Sequence, residues 1–168
     1  TLAALAKYIT SRRPVHIVTI EDPVEFLFTD GVASISQREV GTDTPSFPEA
    51  LRNVMRQDPD VIMVGEMRDP DTIATVITAA ETGHLVFSTL HTNSATQTVD
   101  RILDAFPPDQ QNQVRAQVAQ VLKGVVSMKL VERRDGQGLV AALEILKSSP
   151  RLAQLIEKGE TPALLEEV

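Results

Sequence analysis

The stretch Asp58-Pro59-Asp60-Val61-Ile62-Met63-Val64-Gly65-Glu66-Met67-Arg68-Asp69 decides how the chain is read. Four apolar residues, three of them β-branched, stand between a Pro turn and an abrupt acid. A short apolar run bounded in this way predicts a fully buried strand of a parallel sheet. Ligand crevices of open α/β sheets lie outside the carboxyl ends of their strands, which is where Glu66 falls. A carboxylate there suits a metal ion or an attacking water. Taken alone, the stretch reads equally well as a strand that ends in a solvated Glu.

Two further runs repeat the pattern. Residues 15–20 predict a strand that delivers Glu21-Asp22-Pro23 and then Glu25. Three acids within five residues repel one another unless a cation or a basic partner balances them, although a solvated acidic turn has the same composition. Leu85-Val86-Phe87-Ser88-Thr89-Leu90 predicts another strand, followed by His91-Thr92-Asn93-Ser94. Between the strands at 61–65 and 85–90, residues 70–82 predict a helix with an apolar stripe of Ile73, Val76, Ile77 and Ala80, and Gly83 closes it. Strand, helix and strand make a βαβ unit, so the two strands are expected to be parallel.

The rest of the chain is punctuated clearly. A helix is expected over 1–9 and a short strand over 34–38. Ser46 caps a helix running to about Arg56, with Glu49 completing a capping box. Arg52 and Arg56 share one face of that helix at i and i+4, either as a solvated face or as groups that reach phosphates across a subunit boundary. Ser94 caps a helix over 95–104, and the longest helix is expected over 108–126 with Val114, Val118, Val121, Leu122 and Val125 on one face. A hairpin follows, with strands near 127–132 and 139–145 joined by Asp135-Gly136-Gln137-Gly138. The last helix, 151–158, ends at Gly159.

Composition narrows the function. With 168 residues and 42% hydrophobic content the chain suits one ordinary globular domain or a piece of one. A net charge of −7 disfavours nucleic acid, whose binding needs clustered Lys and Arg. The absence of Cys excludes disulfides and thiolate zinc sites and fits a reducing compartment. No apolar run approaches the roughly 18 residues of a membrane span, so no direct membrane insertion is expected and the expected location is cytoplasmic. His84 and His91 invite a metal reading, but seven residues of strand at roughly 3.3 Å each separate them by about 23 Å. His91 falls at the carboxyl end of its strand and His84 at the opposite end, while His16 reads as structural.

These motifs in this order resemble the secretion-superfamily hexameric ATPases, and most closely the type IV pilus retraction motors. The family's aspartate box resembles Ile20-Glu21-Asp22-Pro23-Val24-Glu25-Phe26, and its atypical Walker B resembles residues 58–69. Its histidine box resembles Thr82-Gly83-His84-Leu85-Val86-Phe87-Ser88-Thr89-Leu90-His91-Thr92. Ser36-Gln37-Arg38-Glu39-Val40-Gly41, Asp100-Arg101-Ile102 and Phe106-Pro107 match as well. Lack of Cys, where assembly and type II secretion ATPases usually carry a four-cysteine zinc module, and Met67 after Glu66 point to the retraction branch. Arg151-Leu152-Ala153-Gln154-Leu155-Ile156 departs from that branch's Ala-Ile-Arg-Asn-Leu-Ile signature.

The resemblance implies an α/β, RecA-like, mainly parallel sheet flanked by helices. Residues 1–168 would be the C-terminal ATPase domain or a fragment of it, with a mostly helical part over about 107–168. It implies ATP and Mg²⁺ as cofactors, with Glu66, Glu21 and His91 in catalysis. Gly65 stands where a common Walker B has Asp, so Glu21 and Asp22, with Glu66, would hold the Mg²⁺. Glu25, Arg68 and His84 would line the nucleotide, and Arg38, Arg52, Arg56, Arg68 and Arg101 are candidate arginine fingers. The implied assembly is a homo-hexamer that works on an inner-membrane platform protein of the pilus, from the cytoplasmic face. Two other classes fit the motifs: an assembly-type secretion ATPase, and an inactive module that keeps the acids for subunit contacts.

No G-x-x-x-x-G-K-[ST] loop occurs in the 168 residues, although the family's loop ends just before a segment like Thr1-Leu2-Ala3-Ala4. The chain is therefore expected to be a fragment. Backbone amides and the lysine of such a loop supply much of the phosphate-binding energy. Residues 1–168 alone are accordingly expected to bind Mg-ATP weakly or not at all in calorimetry. Micromolar affinity would contradict this.

Overall fold

A computed structural model describes residues 1–168, which divide into two compact units, residues 1–90 and 91–168. The first unit is built on a four-stranded, all-parallel sheet of order β2-β1-β3-β4: β1 His16–Glu21, β2 Ser34–Glu39, β3 Val61–Val64 and β4 Leu85–Ser88. β3 is buried at all four positions, as its uninterrupted apolar sequence requires of a strand covered on both faces. β4 stops at Ser88, two residues before the apolar run ends, because Thr89 turns to bond the loop after β3.

Alternation along the strands divides the core in two. Val18, Ile20, Ile62 and Val64 face α2 Phe47–Val54 and α3 Pro70–Glu81, packing with Ala50, Leu51, Val54 and Ala79. On the opposite face, Ile17, Val61 and Ala33 pack with Ile9 of α1 Leu2–Thr10 and with Ile35 and Phe87. Val18, Ile20, Ile62 and Val64 are wholly buried, each worth about 1.5–3 kcal/mol relative to exposure. In α3 the fully buried alanine is Ala79, and Ala80 is only half-buried.

Helix ends follow local chemistry. Ser46 accepts from the Glu49 amide to start α2, which tightens into a 3-10 turn, Met55–Gln57. Arg52 therefore lies in the α-helix and Arg56 in the 3-10 turn, both exposed. Asp69 starts α3: its carboxylate accepts from the Thr72 amide at 2.8 Å and from the Thr72 hydroxyl at 2.6 Å. Beyond the C-cap Thr82, Gly83 takes φ +102°, a conformation other residues rarely adopt.

The second unit contains α4 Ala95–Asp104, α5 Pro108–Val121, the antiparallel hairpin β5 Gly124–Glu132 and β6 Leu139–Lys147, α6 Pro150–Lys158 and a 3-10 segment Thr161–Glu167. The division falls after Leu90, earlier than residue 107, and 107–168 mixes helices with two nine-residue strands. α5 is the longest helix but ends at Val121. Leu122 turns extended, and Val125 pairs with Leu146 in the hairpin instead of continuing the helical stripe. Val99, Leu103, Val118, Leu152, Ile156 and Leu164 form this unit's apolar interior.

The Asp69 cap has a pH signature. Burial, the largest single influence on its carboxyl, works to raise the pKa, but the Thr72 hydroxyl and the amides of Thr72, Asp71 and Asp69 outweigh it and hold the group below 3.8. A folded value below the unfolded one contributes stability at neutral pH that is lost as pH falls through the folded value. Asp69→Ala is expected to destabilise the fold by about 1 kcal/mol at pH 7. Urea unfolding should find that difference shrinking below 3.8, where the parent loses its charged cap.

Candidate functional site

Parallel pairing of β1 and β3 sets the candidate site. Ile20 lies opposite Val64, and the Gly65 amide donates to the Ile20 carbonyl at 2.8 Å, so both strands end at one level. The residues at that rim are Glu21, which ends β1, with Asp22 after it, and Gly65 and Glu66, which follow β3. A Cβ on Gly65 would stand 3.5 Å from Glu21 Cα and 3.9 Å from the Asp22 nitrogen. A methyl fits at that spacing.

Glu21 is 8% exposed and takes two hydrogen bonds on Oε1, from the Thr19 hydroxyl at 2.6 Å and the Gln37 amide at 3.1 Å. Asp22 and Glu25 are exposed in the turn that follows, which begins with a cis bond at Pro23. That turn is tied to β2, because the Val24 amide donates to Glu39 Oε2 at 3.0 Å and the Phe28 amide to Gln37 Oε1 at 2.9 Å.

Glu66 is bracketed by one threonine. The Thr89 hydroxyl donates to the Gly65 carbonyl at 2.7 Å, and the Met67 amide donates to the Thr89 carbonyl at 3.1 Å. The Glu66 carboxylate is paired with the Arg68 guanidinium at 2.5 Å; the Arg68 side chain is 70% exposed and that of Glu66 only 13%. A pair with so wet an arm contributes about 0.2–1 kcal/mol. A phosphate can therefore compete for Arg68.

The remaining candidates lie elsewhere. His84 stands at the amino end of β4, the end of the sheet away from Glu21 and Glu66, with its Nδ1 3.0 Å from the Ala79 carbonyl and 3.2 Å from the Thr82 hydroxyl at the end of α3. The structure thus separates His84 from the acids with which it was grouped, because parallel strands place residues before and after a strand on opposite rims. His91 opens the second unit, three residues beyond Ser88. Arg38, half-buried on β2, pairs in register with Ile20. Arg101 is exposed on α4 of the second unit.

No three His, Asp or Glu side chains converge as a metal cage. Hard carboxylate oxygens in ones and twos suit Mg²⁺, which keeps waters and phosphate oxygens as its other ligands.

Comparison with known proteins gives this geometry a setting. Residues 1–158 match the family model for type II/IV secretion system proteins. The chain belongs to that family. A twitching motility protein of Neisseria gonorrhoeae is 50% identical over 160 residues, covering 95% of the chain and 43% of that protein. The type IV pilus retraction ATPase PilT of Pseudomonas aeruginosa is 48% identical over 160 residues, 95% of the chain and 46% of PilT. A crystal structure of the pilus retraction motor PilT with bound ADP superposes with a TM-score of 0.94 at 46% identity, over 99% of the chain and 48% of that motor. The chain thus spans about half the length of these relatives. The RecA-like α/β reading of the fold stands with this match.

Sequence reasoning missed Thr19, Gln37 and Thr89, which hold the acids. The signal was there for Thr19, a polar residue inside an apolar run, but strand register was needed to give it a partner. For Thr89, Thr89→Val is expected to destabilise the fold by about 1 kcal/mol by orphaning the Gly65 carbonyl. Hydrogen exchange at the Met67 amide should speed up with it, and Thr89→Ser should restore both.

Proposed function

We propose that this chain is the catalytic portion of a hexameric ATPase motor that powers type IV pilus retraction and twitching motility. One observation carries the reading: nearly the whole chain matches retraction ATPases in sequence and in backbone, with Glu21 and Glu66 brought to one rim of the sheet. Glu66 orients the attacking water and takes its proton; it is little exposed, anchored on both flanks and negatively charged. Glu21 and Asp22, with Glu66, would hold Mg²⁺, and the ion would supply charge neutralisation on the phosphates. His91 contacts the γ-phosphate, while Arg68 exchanges its Glu66 partner for phosphate oxygens. Glu25 lies exposed in the turn after β1 and would line the nucleotide, and Arg38, Arg52, Arg56 and Arg101 are candidate fingers within or between subunits.

The partners in this reading are five further copies of the chain and a platform protein in the inner membrane. No helix of the chain is long and apolar enough to cross a membrane. In this reading the motor works on the cytoplasmic face, through that partner. The charge of −7 disfavours nucleic acid as a partner.

Glu66→Gln in the full-length protein tests the mechanism. Gln keeps the volume and one acceptor but neither charge nor basicity, so turnover should fall on the order of 10²–10⁴-fold with ATP affinity retained. A parallel loss of Mg²⁺-dependent affinity would reassign Glu66 as a metal anchor, and parental turnover would end the catalytic assignment. Deleting the gene should leave cells with surplus, immobile pili. Bald cells would instead favour an assembly motor.

A further inference from the structure

Strand register places an unassigned clamp beside Glu21. Along β1, Ile17, Thr19 and Glu21 share one face of the sheet by strict alternation. Gln37 of β2 pairs directly with Thr19, so its side chain emerges on that same face. This face is apolar where α1 covers it, at Ile17, Val61 and Ile35, and turns polar only towards the carboxyl end of the strands. Thr19 is wholly buried and Glu21 nearly so. A carboxylate in that position needs donors, and the two it has are the Thr19 hydroxyl and the Gln37 amide.

Both donors fall on the same oxygen. Thr19 Oγ1 lies 2.6 Å and Gln37 Nε2 3.1 Å from Glu21 Oε1, which occupies both lone pairs of Oε1 and leaves Oε2 for a ligand. The orientation of the Gln37 amide is not arbitrary. Its oxygen accepts from the Phe28 amide at 2.9 Å, so its nitrogen must face Glu21, and the second N–H donates to the Phe26 carbonyl at 2.9 Å. Every hydrogen-bonding function of this one side chain joins the acid to the 26–28 segment, just beyond Glu25.

We propose that Gln37 and Thr19 are positioning residues that lock Glu21 in one orientation, so that Oε2 alone is offered to the Mg²⁺–nucleotide complex, and that Gln37 couples this orientation to the 26–28 segment. The inference rests on the ATPase reading for the identity of the ligand, and on the hydrogen bonds alone for the clamp. Hydrogen bonds to a ligating carboxylate fix its direction, and losing them typically costs about 10–100-fold in metal affinity.

The test uses the full-length protein with Thr19→Val, Thr19→Ser and Gln37→Met. Val matches the size of Thr without its hydroxyl, Ser keeps the hydroxyl, and Met keeps the length of Gln without its amide. Affinity for a fluorescent ADP analogue is measured with Mg²⁺ and in EDTA. Thr19→Val and Gln37→Met should bind about 10-fold more weakly with Mg²⁺ and unchanged in EDTA, while Thr19→Ser behaves as the parent. Parental Mg²⁺-dependent affinity in both variants, or equal losses with and without Mg²⁺, overturns the proposal. Should Thr19→Val fail to fold, Gln37→Met at its half-buried position decides alone. If the parent binds no Mg²⁺-nucleotide, the ATPase reading fails, and crystal structures of the variants then decide the clamp. A Glu21 side chain rotated from its parental direction supports it; an unmoved one refutes it.

Discussion

The bond from the Gly65 amide to the Ile20 carbonyl closes the pairing of the two central strands, and the site depends on it. Parallel register fixes where each strand ends, and a slip of one residue would turn every side chain to the other face. Here it leaves Glu21 and Glu66 at one level. Gly65 carries β3 out of the sheet alongside the backbone of Glu21 and Asp22.

Around that pairing, the acids are held by unlike means. Glu21 is a strand residue, buried, and takes neutral donors from its own and the neighbouring strand. Glu66 stands in a loop, and Thr89 fixes its flanking backbone while an exposed Arg68 balances its charge. Neutral, buried donors make a direction permanent. A solvated ion pair is weak and exchangeable.

In the second unit Ser94 caps α4 and Ser149 caps α6, and Glu144 of β6 adds a carboxylate oxygen 2.8 Å from the Ala95 amide at the first turn of α4. A negative group there satisfies an orphan donor and the helix dipole together. This ties the hairpin to the helix that begins three residues after His91-Thr92. The hairpin itself is exposed along most of both strands, including Val126, Leu130, Leu143 and Ile145.

Sequence alone determined the element types, because each depends on neighbours in the chain. The apolar run at 61–64, the Ser46 and Ser94 caps, Gly83 and Gly159 past helix ends, and the Asp135–Gly138 turn all act within a few residues. It also showed that acids follow strands, and so which rim they share. The end of α5 was not legible: Val121, Leu122 and Val125 keep a helical spacing, and only pairing of Val125 with Leu146 draws the chain into a strand. The clamp on Glu21 and the bracket around Glu66 were equally hidden. Gln37 lies 16 residues from Glu21 and Thr89 lies 24 from Gly65, and no local pattern links them. Strand order and register decide those contacts, because a buried carboxylate takes whichever donor the neighbouring strand places against it.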